Sequence, residues 1–105
     1  MNKPNYLAFI PAKGKSSELK NKNLRKIKKK TLVEITIDEI KKTKIFDKIL
    51  LSSDDDKILK IGKKKKIETI KRPRKLSNSN ASTESALLHA IYELNLQKFK
   101  GIFIF

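Results

Sequence analysis

The run Tyr6-Leu-Ala-Phe-Ile10 alternates too little for a strand with one wet face, and so predicts a strand buried on both faces, as in a parallel sheet covered by helices. Pro11 ends it, and a turn rich in Gly, Ser, Lys and Asn follows to Asn23. Leu32, Val33, Thr36, Ile37 and Ile40 then recur at helical spacing and predict an amphipathic helix ending near Thr43, where Lys41, Lys42 and Lys44 suit the negative end of its dipole. Lys48 to Ser52 reads as a second strand. Ser53 or Asp54 is placed to cap the helix that runs on through Ile58, Leu59 and Ile61 and closes in the lysines 63 to 66. Ile67 to Lys71 is a short extended segment halted by Arg72-Pro73, and Leu76 to Asn80 is a polar loop. Ala86, Leu87, Ala90, Ile91 and Leu94 mark a third helix, and Gly101 to Phe105 has the composition of a buried strand.

Strands that alternate with helices imply an α/β fold, a mainly parallel sheet with right-handed crossovers, in one domain spanning residues 1–105. In such sheets ligands sit at the carboxyl ends of the strands. The turn after Pro11, the turn at Ser52 to Asp55 and the loop after Arg72 should therefore lie along one rim. There is no internal repeat and no low-complexity linker.

Composition narrows the chemistry. With no cysteine, disulfides, thiolate metal sites and cysteine nucleophiles are excluded together, and a reducing cytoplasm fits. The first apolar run is too short for a secretory core of about 7 to 15 residues or for a membrane span, so no membrane partner is expected. A net charge of +15 suggests phosphate-rich partners. Yet of the 26 basic residues only Arg25, Arg72 and Arg74 are arginines, Trp is absent, and Ile and Asn are abundant, the pattern of AT-rich codon usage on solvated faces. A small nucleic-acid or polyanion-binding protein is accordingly the alternative reading of the charge, not the first.

Behind the first strand, Gly14 and Ser16 let the main chain approach an anion, and Lys13, Lys15, Lys20 and Lys22 bring positive charge. The same residues also suit an ordinary strand-to-helix turn. Ala12-Lys13-Gly14-Lys15-Ser16, with Leu19 and Lys22-Asn23, resembles the first motif of the cytidylyltransferases that activate sialic acid and related acidic sugars, Pro-Ala-Arg-Gly-Gly-Ser-Lys-Gly-Ile-x-x-Lys-Asn. Leu51-Ser52-Ser53-Asp54-Asp55 is similar to that family's Val-Ser-Thr-Asp-Asp, and Arg72-Pro73, Leu76 and Ala81-Ser82-Thr83 to its Arg-Pro-x-x-Leu-x-x-x-x-Ala-Ser-Ser. The motifs stand in the family's order and cover nearly the whole chain.

The resemblance implies the N-terminal nucleotide-binding half of a Rossmann-like nucleotidyltransferase, truncated relative to the family. It implies transfer of CMP from CTP to an acidic sugar of the sialic-acid type with release of pyrophosphate. Phosphate contact falls to Lys13, Gly14 and Ser16, a catalytic contact to Lys22, and nucleotide contacts to Asn23, Arg72, Ser82 and Thr83. Lys13 replaces the family's Arg, Lys15 and Glu18 its glycines, Ser17 its Lys, and Ser79 an Asp. Mg2+ is expected for the family, with its ligands and the dimer interface beyond residue 105. The chain alone is therefore expected to be inactive and open to self-association. Asp54, Asp55 and Asp56 could hold a hard cation, but acids after a strand and before a helix are better placed to cap it. His89 has no second His or Cys to share a metal and reads as structural.

Overall fold

The structure, a computed structural model, describes residues 6–12, 26–27, 30–73 and 83–105. Strands β1 (Tyr6–Pro11), β4 (Lys48–Ser53), β5 (Glu68–Lys71) and β6 (Gly101–Ile104) form one sheet in the order β5-β4-β1-β6, with every neighbouring pair parallel. Lys26–Ile27 (β2) and Lys30–Thr31 (β3) pair antiparallel as a small separate ribbon, an element the hydrophobic pattern did not predict. Helix α1 (Leu32–Thr43) leads into β4, α2 (Asp56–Lys64) joins β4 to β5, and α3 (Thr83–Leu94) with a 3-10 turn (Leu96–Lys98) leads to β6. The strand order reverses between β1 and β6, the arrangement of a doubly wound sheet.

Alternation along the strands sorts the core onto two faces. Ala8, Ile10 and Ala12 of the β1 segment and Leu51 of β4 pack with Val33, Ile37, Ile40 and Ile58 of α1 and α2. Leu7, Phe9 and Leu50 pack on the other face with Ala86, Ala90, Leu96 and Phe99. Both faces of β1 are thus covered, which is why its sequence reads as a continuous apolar run. On the first face α2 approaches the sheet at Gly62, where a Cβ would lie 2.7 Å from Thr69 Cγ2 and 2.8 Å from Leu51 Cδ2. No larger residue fits there without repacking.

Helix ends follow the expected chemistry, with one correction. Thr31 caps α1 in a reciprocal box: its hydroxyl accepts from the Glu34 N–H at 3.1 Å, while the Glu34 carboxylate accepts from the Thr31 N–H at 2.9 Å. Helix α2 is capped by Asp55, whose carboxylate accepts from the Lys57 N–H at 2.8 Å, and not by Ser53 or Asp54. The sheet explains the shift, because Ser53 is still in register with Lys71 and its carbonyl accepts from the Arg72 N–H at 2.8 Å. Pro11 likewise stays in register with Ser52 and does not end the strand before it.

Each helix is followed by a residue with positive φ: Lys44 at 58°, Lys66 at 62° and Asn95 at 53°. This left-handed stop usually falls to glycine or asparagine, and a residue with an ordinary Cβ pays roughly 1 to 2 kcal/mol for it. At the sheet's edge β6 is only half-covered, with Phe103, Ile104 and Phe105 each 49% exposed. Among the described residues nothing pairs with its outer side.

Candidate functional site

The parallel register brings the carboxyl ends of the central strands to one level. Pro11 lies opposite Ser52, the Ala12 N–H donates to the Ser52 carbonyl at 2.8 Å, and Ser53 lies opposite Lys71. The end of β1 at Ala12, the Ser53–Asp55 turn and Arg72 therefore stand along one rim of the sheet, as the strand order from sequence requires. Because α3 returns the chain to the start of another parallel strand, its first residue, Thr83, belongs to the same rim.

Arg72 is the largest fully buried side chain of the described residues, with 1% of its surface exposed. Strand alternation accounts for this. Leu50 and Ile70 pack on the α3 face of the sheet, and a period of two carries Ser52 and Arg72 onto that face. Burial lowers the pKa of the Arg72 guanidinium from its usual value, and the nearby Asp54 carboxylate acts in the opposite direction. An arginine keeps its proton in such surroundings, so the rim carries a desolvated cation. On the same face, one step earlier along the strands, the Ser52 Oγ is buried and has no hydrogen-bond partner among the described residues. A buried hydroxyl left without a partner costs free energy, and a polar group arriving at the rim would satisfy it. The sequence motif includes Ser52 without giving it a role; the signal that could have found it is the strand period, which sends it inward with Leu50.

Lys13, Gly14, Ser16, Lys22, Asn23 and Ser82 lie outside the described residues. Arg72 and the start of α3 at Thr83 are brought to the rim. The aspartates are engaged locally: Asp55 caps α2, Asp56 pairs with Lys71 at 3.0 Å, and Asp54 faces Arg72. Among the described residues no cluster of three or more His, Cys, Asp or Glu could hold a metal ion. His89 sits half-buried on α3, with its Nδ1 unbonded among the described residues. No described helix is long and apolar enough to cross a membrane.

The family model described as cytidylyltransferase matches residues 7–97. A pseudaminic acid cytidylyltransferase of Campylobacter jejuni is 35% identical over 92 residues, covering 87% of this chain and 40% of its own. An N-acylneuraminate cytidylyltransferase of Escherichia coli is 28% identical over 85 residues, covering 81% of this chain and 20% of its own. A solved CMP:2-keto-3-deoxy-manno-octonic acid synthetase complexed with CTP superposes with a TM-score of 0.72 at 18% identity, over 86% of this chain and 36% of that one. The chain thus spans well under half the length of these proteins. The superposition bears out the Rossmann-like α/β fold read from the strand and helix order, and the match across residues 7–97 bears out the motif resemblance: the chain belongs to the cytidylyltransferase family that this model describes.

Proposed function

We propose that the carboxyl rim of the sheet binds CTP for transfer of CMP to an acidic sugar, with pyrophosphate as the leaving group. The observation that carries this reading is the buried Arg72 cation, on the same face of the sheet as the unsatisfied Ser52 hydroxyl and at the rim where β1 ends. A desolvated guanidinium offers a planar fork of donors to a phosphate or a base edge, and its attraction for an anion is little screened. In this reading Lys13, Gly14 and Ser16 approach the phosphates and Asn23 the nucleoside. Lys22 assists at the reacting phosphate, and Ser82 and Thr83 present the amides at the start of α3 to the anion. The sugar hydroxyl attacks the α-phosphorus and the bond to pyrophosphate breaks. Mg2+ is part of the family expectation, and no group of three or more His, Cys, Asp or Glu among the described residues could hold it. The transfer itself is assigned to a protein of the relatives' full length, with nucleotide binding assigned to this chain. A cysteine-free sequence supports a cytoplasmic setting for this reaction.

Calorimetric titration with CTP and with ATP tests the proposal. Binding of CTP in preference to ATP is expected, and tighter binding of ATP would remove the assignment.

A further inference from the structure

The rim opposite the nucleotide site carries the chain's charge in an organised form. All three helices run against the strands, so their last turns and the residues that follow gather at the amino ends of β4, β5 and β6. Lys44, Lys63, Lys64, Lys66, Lys98 and Lys100 are exposed there, and none has an ion pair among the described residues. Two of them, Lys44 and Lys66, hold the positive-φ positions that stop α1 and α2, where glycine or asparagine would be less strained. Lysine at these positions is not explained by the backbone.

Between the end of α1 and the starts of β4 and β5 runs an open groove of about 310 Å³, whose lining includes Lys41, Lys48 and Lys66. Its carboxylates are already engaged: Glu68 pairs with Lys48 at 3.6 Å, and Asp47 accepts from the Tyr6 N–H at 3.3 Å. Glu39 and Asp38, on α1, are paired with Lys42 and with Lys30 and Lys65. Glu93, on α3, has no ion pair among the described residues. Next to it Tyr92 exposes 86% of its surface.

We infer that this amino rim binds single-stranded nucleic acid without sequence preference. A concave groove edged by lysines on the α1 face fits a flexible phosphate chain better than the plane of a bilayer, and where such a chain crosses the rim to the α3 face the exposed Tyr92 ring gives an unpaired base a face to stack on. The lack of arginine among the described residues of this rim accords with contacts to phosphate and not to base edges. Because it faces away from Arg72, this surface can be occupied while the carboxyl rim holds a nucleotide.

Fluorescence anisotropy with a labelled oligothymidylate of about 20 nucleotides, longer than common single-strand site sizes, tests the inference across a series of salt concentrations. The combined variant Lys44→Gln, Lys63→Gln, Lys66→Gln should bind at least tenfold more weakly, and the slope of log affinity against log salt should fall by about 0.7 for each phosphate that is no longer neutralised. Tyr92→Ala should weaken binding about fivefold or more. A control of equal charge, Lys57→Gln, Lys60→Gln, Lys71→Gln, should bind as the parent does, and circular dichroism verifies that each variant is folded. Equal weakening by the control would overturn the inference in favour of net charge alone, and an unaltered Tyr92→Ala would overturn the single-strand assignment. Absence of oligonucleotide binding at low salt, with rim-dependent binding to phosphatidylserine vesicles instead, would replace it with a membrane surface.

Discussion

Replacing Arg72 by methionine separates a functional cation from a structural one. The side chain is 1% exposed, and burial disfavours its charge more than the Asp54 carboxylate restores it. Methionine fills a similar volume without that desolvation penalty. Exchanging a buried charge for a well-packed apolar group is often neutral or stabilising, while an acid left behind in full burial is costly. Asp54 is only partly buried and can regain water, so the cost on its side is small. Thermal or urea unfolding of Arg72→Met should therefore stay within about 1 kcal/mol of the parent. CTP affinity should move the other way. Losing a charge-assisted hydrogen bond costs about 1.5 to 3 kcal/mol, or roughly 10- to 150-fold in dissociation constant, which calorimetry resolves. The diagnostic result is the pairing of unchanged stability with weakened binding. A variant that loses several kcal/mol of stability and binds CTP as before would show that Arg72 serves the fold, and the nucleotide reading of the rim would lose its main support.

Gly62→Ala should destabilise the protein by about 1 to 2 kcal/mol despite alanine's better helix propensity, because overpacking against Thr69 and Leu51 exceeds the roughly 1 kcal/mol gained in the helix. Thr69→Ser, which removes the nearer methyl, should recover part of that loss in a double-mutant cycle, and strict additivity of the two changes would refute the clash. Hydrogen bonds from Lys65 and Lys30 hold the Asp38 carboxyl below its usual range, so its contribution is present above the unfolded value of about 4 and fades as pH falls through the lower folded value. The stability difference between the parent and Asp38→Asn should accordingly exist at neutral pH and vanish in acid; a difference that persists in acid unfolding curves would discount the ion pairs. Sedimentation of the chain should show association that grows with concentration through the open side of β6 and its half-exposed Phe103 and Phe105. A chain monomeric at every concentration would show that this edge is protected.

The order of strands and helices was legible in the sequence because each element carries its own signal. The apolar run of β1, the 3.6-residue spacing of Val33, Ile37 and Ile40, and the lysines closing α1 and α2 are local properties, and the structure places those elements where the pattern did. The motifs at Ser52–Asp55 and Arg72 were likewise readable, since their residue types and spacing survive without any partner in view. Other features depended on residues far apart in the chain. The cap of α2 moved to Asp55 because Ser53 is held by its pairing with β5, an interaction no local rule contains. The ribbon of β2 and β3 is a pair of two-residue segments, too short for a hydrophobic period to reveal. Burial of Arg72 and of the Ser52 hydroxyl comes from which face of the sheet α3 covers. The gathering of lysines at the opposite rim comes from the antiparallel course of every helix against the strands. Sequence by itself determined the elements and the residue types available for chemistry. Register and crossover decided which of those residues meet, because strand pairing and helix docking bring together positions that the chain keeps tens of residues apart.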